Sequence, residues 1–597
     1  MRKKLRQGLI TLTILAIVIF SLAGCSGGEG HNPFKNAKWS WVNPYPQGNT
    51  LHKVWTYSDV STYAAGDCGT VLHYDGSSWT RMETPTEEDL FGIWGFSDSN
   101  IYAVGRNLTV IHYNGTSWSL IDVSGRAPAD TTLFGIWASK ASDVFLTGNG
   151  GVILHYNGST WHDMESGSQS YVQGIYGFSA NDVYAVTSGA EVLHYNGSTW
   201  ALEYKANDNV WFTSVWGSST TDIYAAGKNI LGQEISTYHY DGTTWTEVDA
   251  LPNYAYTGVW GTAPNNVYVV GQNNFTYHYD GASWIYEYGG GLLWLYGISG
   301  SGADNIYSVG EMGLIVHYNG STWESPWIND LYSISGMWGT SKTNIYFGGP
   351  DGLIYHYDGT TFNIIDTGYE NFYFQSLYGV KASSIYASAL SLDTNNGAIF
   401  HYNGSRWYKE YDYSSNVTCL WAASKYNIYA SCADGAVLYS DGTTWRGMGN
   451  QKISLLRGIG GTSHKNIYAV GDNGTVIHYD GSTWKQLNPG TNVTLSSVWC
   501  ADSSNIFICG ENGTLLRYDG SNFHNLSTGT QEYLTCVWGI SPQNVFLSGN
   551  NGVALFYNGN RVVNLQPHTN TQFTTVWGVD EQVFFAGDYG RIMKYAK

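Results

Sequence analysis

The sequence predicts an all-β protein built from fourteen four-stranded blades, and three observations carry that expectation. A nine-residue stretch, "VLHYDGSSW" at 71–79, returns along the chain, as "VIHYNGTSW" at 110–118, "ILHYNGSTW" at 153–161 and "VIHYDGSTW" at 476–484. Its Asp/Asn-Gly step occurs thirteen times, from Asp75 to Asn558, mostly 39 residues apart. The composition, with 73 Gly, 12 Pro, 16% aromatic and 13% charged residues, fits a turn-rich β protein with aromatic packing and does not fit a helical or disordered one.

In chain order, the first element is a targeting segment. Arg2, Lys3, Lys4 and Arg6 precede an apolar run from Leu9 to Phe20, too short to span a bilayer comfortably. The following Leu22-Ala23-Gly24-Cys25 resembles the lipobox of bacterial lipoproteins. That resemblance implies removal of residues 1–24 and lipidation (palmitate included) of Cys25. It also implies an exported protein of the bacterial cell envelope. Ser26 rather than Asp follows the Cys, the pattern of outer-membrane sorting if the cell is Gram-negative. Residues 25–38 then read as the lipidated Cys and a flexible tether.

The repeat occupies the rest. Residues 213–248 show one unit: "TSVWG" (strand a), "IYAAG" (b), "ISTYHYDG" (c and its turn) and "TTWTEV" (d). Four short β-rich runs separated by turn residues form an antiparallel meander. One such sheet cannot bury both faces, so the units stack, and radial stacking of units of this length makes propeller blades. The fourteenth unit lacks a d strand, and "AKWSWVNPY" at 37–45 is a spare one. Blade numbers of four to eight are usual, so the expectation is two seven-bladed propellers, 39–320 and 321–597, with one fourteen-bladed ring as the alternative. In that scheme the N-terminal strand latches the first ring and "STWESP" at 321–326 latches the second.

Variation inside the repeat separates scaffold from chemistry. The turn residue is Asp seven times and Asn six times, an indifference no general acid or metal ligand would show. Both residues tolerate positive φ before Gly, so this position reads as turn chemistry. The strand-c His occurs ten times and gives way to Leu438, Arg517, Phe556 and Lys594. Lying about 10 Å out from the axis at normal strand spacing, these His cannot converge on one metal, so their expected role is a hydrogen bond within or between blades. Twenty of the 25 Trp fall in two slots, the end of strand a and strand d, where they are inter-blade packing.

The consensus "VWG-x-S-x-x-D-I/V-Y-A-V-G-x-x-G-T-V-I-H-Y-D/N-G-S-T-W" over about 50–597 resembles bacterial propeller repeats related to the photosystem II assembly-factor family. Its "D-G-S-T-W" end also resembles the Asp-box of bacterial neuraminidases. The resemblance implies the fold and leaves function open. Sialidase activity would need clustered arginines, and the nine beyond the signal are scattered from Arg81 to Arg591.

Function is therefore sought in what the repeat does not require. Trp211, Trp294 and Trp327 break register, in the loops from strand d to the next strand a. The same stretches hold Phe212, Tyr254, Tyr256, Tyr369, Phe372, Tyr373 and Tyr413, with Tyr171 beside them. The b–c insertions at 228–236 and 389–397 project from the same end. These ten residues are the candidate binding set. The expected function is a surface-anchored, non-enzymatic scaffold for protein interaction or assembly. A carbohydrate-binding, lectin-like lipoprotein is the alternative, and a glycan-active hydrolase a distant third. No catalytic residue, metal site or cofactor is assigned. A net charge of −19, with no basic run beyond the targeting segment, argues against nucleic acid. The expected partners are a membrane, through the lipid, and a protein or glycan, with the chain a monomer. Of Cys68, Cys419, Cys432, Cys500, Cys509 and Cys536, the pair expected to suit a disulfide is Cys419 and Cys432, on neighbouring strands of one hairpin.

Overall fold

The structure, a computed structural model, describes residues 34–44, 46–229, 237–325, 332–449 and 454–597. Fourteen four-stranded antiparallel sheets are present among them. Blade 1 is typical: strand a Leu51–Ser58, b Ser61–Gly66, c Thr70–Tyr74 and d Trp79–Met82. Strand b is buried along its whole length, because it lies mid-sheet with a neighbouring blade on each face.

The blades close as two rings of seven, numbered here in chain order. In the first ring, Leu51, Val54 and Trp79 of blade 1 share a core cluster with Tyr307, Val309 and Ile315 of blade 7. The Thr56 amide donates to Ser299 Oγ across the same junction, at 3.1 Å. In the second ring, Ile334, Met337 and Phe347 of blade 8 pack on Phe584, Ala586 and Ile592 of blade 14, and the Thr574 hydroxyl donates to the Ile334 carbonyl.

The latch differs from the sequence expectation. The N-terminal strand Lys38–Asn43 pairs with Ile592–Ala596, so it completes blade 14 and closes the second ring. Phe34, Trp39 and Trp41 enter the blade 13–14 core, and Trp39 Nε1 donates to the Leu565 carbonyl at 2.8 Å. The strand Trp323–Glu324 stays in blade 7, paired with its own strand c. The physical reason is local: Asn319-Gly320 is an ordinary two-residue turn between those strands, and a hairpin closes at less entropic cost than a strand exchange. The segment joining the latch to blade 1 lies between the rings. Asn49, fully buried, donates through Nδ2 to Thr70 Oγ1 at 2.9 Å and to the His568 carbonyl at 2.8 Å.

The repeated residues have defined jobs. Asp75 Oδ1 accepts the Ser77 and Ser78 amides at 2.9 Å each, and the Asn114 and Asn157 amide oxygens do the same in their turns. Positive φ falls on the Gly (Gly76, +88°) and not on the Asp or Asn before it. The Asp/Asn interchange therefore reflects a shared acceptor oxygen, not tolerance of a left-handed backbone. Each strand-c His hydrogen-bonds the residue that opens strand b, as in His112 Nε2–Asn100 Oδ1 (2.8 Å), His155 Nε2–Asp143 Oδ1 (2.6 Å) and His478 Nε2–Asn466 Oδ1 (2.7 Å). It also lies over the strand-b aromatic: Tyr184–His194 and Tyr468–His478 have ring centroids 4.3 Å apart. In blade 10 the register places Tyr439, not Leu438, in the His slot; its hydroxyl approaches the equivalent Asn427 Oδ1 at 3.4 Å. Leu438 is core.

At nine junctions the strand-a indole lies against the Gly one residue beyond the Trp slot of the next blade. A Cβ on that Gly would come within 2.4–3.0 Å of a ring carbon, so "Trp-Gly" is one half of a lock and one half of a key. Where the Gly slot holds Thr56 or Cys500, the preceding blade's Trp slot holds Ser299 or Gly460. The strand-d Trp packs over the strand-b aromatic of the blade before, as Trp79 does on Tyr307 with ring centroids 5.7 Å apart. None of the six described cysteines forms a disulfide. The hairpin pairs Cys432 with Val417 and Cys419 with Ser431. Cys432 enters the blade 9–10 core, while Cys419 lines the second ring's central cavity, so the two do not face each other.

Candidate functional site

The d–a and b–c loops share one end of each ring, because the first residue of strand a pairs with the last of strand b (Leu51 with Gly66, Tyr256 with Gly271). The second residue of strand a lines the channel mouth at that end. In the first ring this position runs His52, Phe91, Phe134, Gln173, Thr213, Thr257, Tyr296. In the second ring it runs Ser335, Gln375, Thr418, Arg457, Ser496, Thr535, Thr574.

These two mouths are built differently. The second ring uses its hydroxyls for closure: Thr418 Oγ1 donates to the Leu456 carbonyl (2.8 Å), Ser496 Oγ to Leu534 (2.5 Å) and Thr535 Oγ1 to Phe573 (2.7 Å). Arg457 is held by Asp472, Nε to Oδ1 at 2.5 Å. In the first ring only Thr213 and Thr257 are used this way. Four of the remaining five positions, His52, Phe91, Phe134 and Tyr296, join Tyr171 and Trp211 in an aromatic crescent. Ring-centroid separations are 5.6 Å for Tyr296–His52, 4.6 Å for His52–Phe91, 5.7 Å for Phe91–Phe134, 6.0 Å for Phe134–Tyr171 and 6.4 Å for Tyr171–Trp211. Lys228 Nζ closes the arc 4.4 Å from the Trp211 ring centroid, a cation–π contact. The arc crosses blades 7, 1, 2, 3, 4 and 5. Its members are half-buried, and Tyr171 is 43% exposed.

Blade 5 raises its end of the crescent. Strand a there begins at Val210, strand b runs on to Asn229, and Trp211 pairs with Lys228 above the usual rim. Nearby carboxylates fix rim side chains: Asp67 holds His52 at 2.6 Å, Glu311 accepts the Tyr296 hydroxyl at 3.0 Å, and Asp89 pairs with Arg106 at 2.9 Å.

The cavity beneath has a volume of about 490 Å3. Lys53 lines it, where blades 2, 3, 4, 6 and 7 have Gly92, Gly135, Gly174, Gly258 and Gly297. Burial lowers the Lys53 ammonium pKa to about 8. Burial also lowers that of Lys228. No Asp or Glu lines this cavity, although the chain has 47 acidic residues against 28 basic ones.

The sequence-derived set is only partly gathered here. Trp211 is a member of the crescent. Trp294 is half-buried beside it, its amide donating to Glu311 Oε2 at 3.0 Å. Phe212 (0% exposed) and Tyr256 (1%) occupy the buried first slot of strand a and are core, which corrects the expectation that they face a ligand. Tyr254 packs at a tilt against Phe275 of blade 6, ring centroids 4.6 Å apart, and is not part of the crescent. Tyr369 and Phe372 pack edge-on against Phe400 of blade 9, the Tyr373 hydroxyl meets Ser335 Oγ, and the Tyr413 hydroxyl donates to Asp434 Oδ2 at 3.1 Å. These four belong to the second ring, away from the crescent. Trp327 and Cys25 lie outside the described residues. His52, Phe91, Phe134 and Tyr296 were missed, because they sit inside strand a, where an aromatic reads as packing.

Comparison with the solved structure of PorZ supports the fold. PorZ, a surface component of the type-IX secretion system of Porphyromonas gingivalis, is similar over 93% of this chain and 86% of its own, at 9% identity and a TM-score of 0.60. YCF48 bound to D1 peptide is similar over 48% of this chain and 96% of its own (16% identity, TM-score 0.39). The extracellular domain of BT4673 from B. thetaiotaomicron is similar over 94% and 82% (13% identity, TM-score 0.37). No family model and no curated protein matches the sequence. Among the described residues there is no group of three or more His, Cys, Asp or Glu placed to hold a metal ion, and no helix long and apolar enough to cross a membrane.

Proposed function

We propose that this chain is a non-enzymatic, envelope-anchored scaffold that holds a polypeptide partner against the aromatic crescent of its first ring. The observation that carries the reading is the crescent itself: six ring side chains in unbroken contact across six blades, at positions the repeat leaves free. Rigid aromatic side chains on a stiff scaffold supply contact area at low entropic cost. A saccharide partner is less well served, because sugar hydroxyls are read by side-chain carboxylates and amides, and Gln173 is the one such group lining the cavity. The Cys25 lipid would tether the rings to the membrane, leaving the rim free to meet its partner.

The test is a peptide array and a glycan array probed with the lipid-free chain. Peptide binding by the parent, lost in Trp211→Ala and Tyr171→Ala but kept in Leu120→Ala, is the expected result. Glycan binding without peptide binding would replace this reading with the lectin one. For the anchor, Cys25→Ser should lose membrane partitioning, and equal partitioning of mutant and parent would refute lipidation.

A further inference from the structure

We infer that the first ring's channel receives a carboxylate of the bound polypeptide on Lys53. The inference rests on the rim reading and adds the chemistry at the centre of the site. Three observations lead to it. Lys53 stands alone: among the described residues its ammonium has no ion-pair or hydrogen-bond partner, and burial is the cause of its lowered pKa. A half-buried cation without a partner is costly, and a ligand carboxylate in the cavity would supply the missing counter-charge. The second observation is the contrast with Arg457, the basic residue of the other channel, which is already neutralised by Asp472. The third is the lining. Lys53, Lys228 and His52 are its titratable nitrogen groups and Tyr176 and Tyr296 its phenols; Asp67 and Glu311 meet His52 and Tyr296 from outside the lining, and no carboxylate is paired with Lys53, in a chain whose net charge is −19. The protein's surplus of negative charge is thus absent from the one cavity that the crescent surrounds.

An extended peptide lying on the rim would place one acidic group over the channel. A lysine–carboxylate hydrogen bond there forms in a desolvated site, where charge-assisted bonds are strongest. The group could be an Asp or Glu side chain or a C-terminus; the chemistry is the same, and the sources are separable by experiment.

The experiment uses a dodecapeptide array in which every acidic peptide appears with Asp/Glu or Asn/Gln, and with a free or amidated C-terminus. It is paired with trace acetylation of Lys53 by acetic anhydride, read by mass spectrometry. Peptides that bind the parent should need a carboxylate and should slow Lys53 acetylation about tenfold. They should bind Lys53→Met about tenfold more weakly, the effect of losing one charge-assisted hydrogen bond. Loss on amidation identifies a C-terminus, and loss on Asp→Asn or Glu→Gln a side chain. Lys53→Arg, which keeps the charge, should bind more tightly than Lys53→Met. Because shielding is measured on the parent, the test stands even if a variant folds poorly. Peptides that bind with or without carboxylates and leave Lys53 unshielded would overturn the inference and leave the rim reading intact. No peptide binding at all would overturn both.

Discussion

The lock between Trp338 and Gly379 makes the sharpest demand on the packing scheme. An ideal Cβ on Gly379 would lie 2.4, 2.5 and 2.5 Å from three carbons of the Trp338 indole. The Gly379 backbone is not left-handed, so an Ala there would be strained by the indole and not by its own φ. Gly379→Ala should therefore cost about 1–3 kcal/mol, the usual price of overpacking. Trp338→Ala alone leaves a cavity and should cost about 3–5 kcal/mol. In the Trp338→Ala background the sign at residue 379 should reverse. The methyl group then enters vacated space, and the stiffer unfolded chain makes Ala better than Gly by about 0.4–1 kcal/mol. The difference between backgrounds is a coupling of about 1.5–4 kcal/mol. Equilibrium urea denaturation of the four proteins, each started at residue 34, measures it as a double-mutant cycle. Equal destabilisation by Gly379→Ala in both backgrounds would show that the indole is not what excludes a side chain there.

Deleting residues 34–43 should strip the edge from Ile592–Ala596 and lower the stability of the second ring while sparing the first; hydrogen exchange resolved by blade would read this, and continued protection of blade 14 would contradict the latch. Burial holds the imidazoles of His73, His112, His317, His356 and His478 below their ordinary pKa. Their folded pKa is depressed, so the unfolded chain takes protons first, and stability should be full above about pH 6.5 and decline as pH falls through the folded values; a denaturation midpoint unchanged from pH 7.5 to 5 would refute this. Phe212→Ala and Tyr256→Ala should each cost about 3–5 kcal/mol as truncations of buried aromatics, whereas Trp211→Ala should stay within about 0.5 kcal/mol of the parent. Matching losses at 211 and 212 would place Trp211 in the core and remove it from the crescent.

The strands, their order and the roles of His, Trp and the Asp/Asn turn were readable because each is repeated, and repetition exposes which side-chain property is kept. The His slot tolerates Asn100, Asp143 or Ser61 as partner, since each presents an oxygen to the imidazole. The latch was misplaced although the signal was present. "STW" at 321–323 follows its own Asn319-Gly320 turn, as in every other blade, and only the last unit lacks a d strand of its own. Phe212 and Tyr256 read as loop residues in the sequence because one apolar residue before "T-S-V-W" or "T-G-V-W" looks like either the end of a loop or the first buried rung of a strand. Burial in the neighbouring blade decides that, and burial is a tertiary property.

Subtracting the repeat from loops alone also hid the better part of the site. The second residue of strand a runs His52, Phe91, Phe134, Gln173, Thr213, Thr257, Tyr296 in one ring and Ser335, Gln375, Thr418, Arg457, Ser496, Thr535, Thr574 in the other. One scaffold position thus carries four ring side chains in the first ring and none in the second. Structure explains why a hydroxyl is the default there: it reaches the carbonyl of the next blade and ties the inner strands together. Each aromatic at that slot gives up such a tie, worth about 1 kcal/mol, and His52, Phe91, Phe134 and Tyr296 give it up in one contiguous sector. That sector exchanges closure hydrogen bonds for ring contacts between blades and leaves half-exposed rings at the rim. That asymmetry between two otherwise equivalent rings is the physical ground for the proposal that the first ring meets the partner while the second holds the latch.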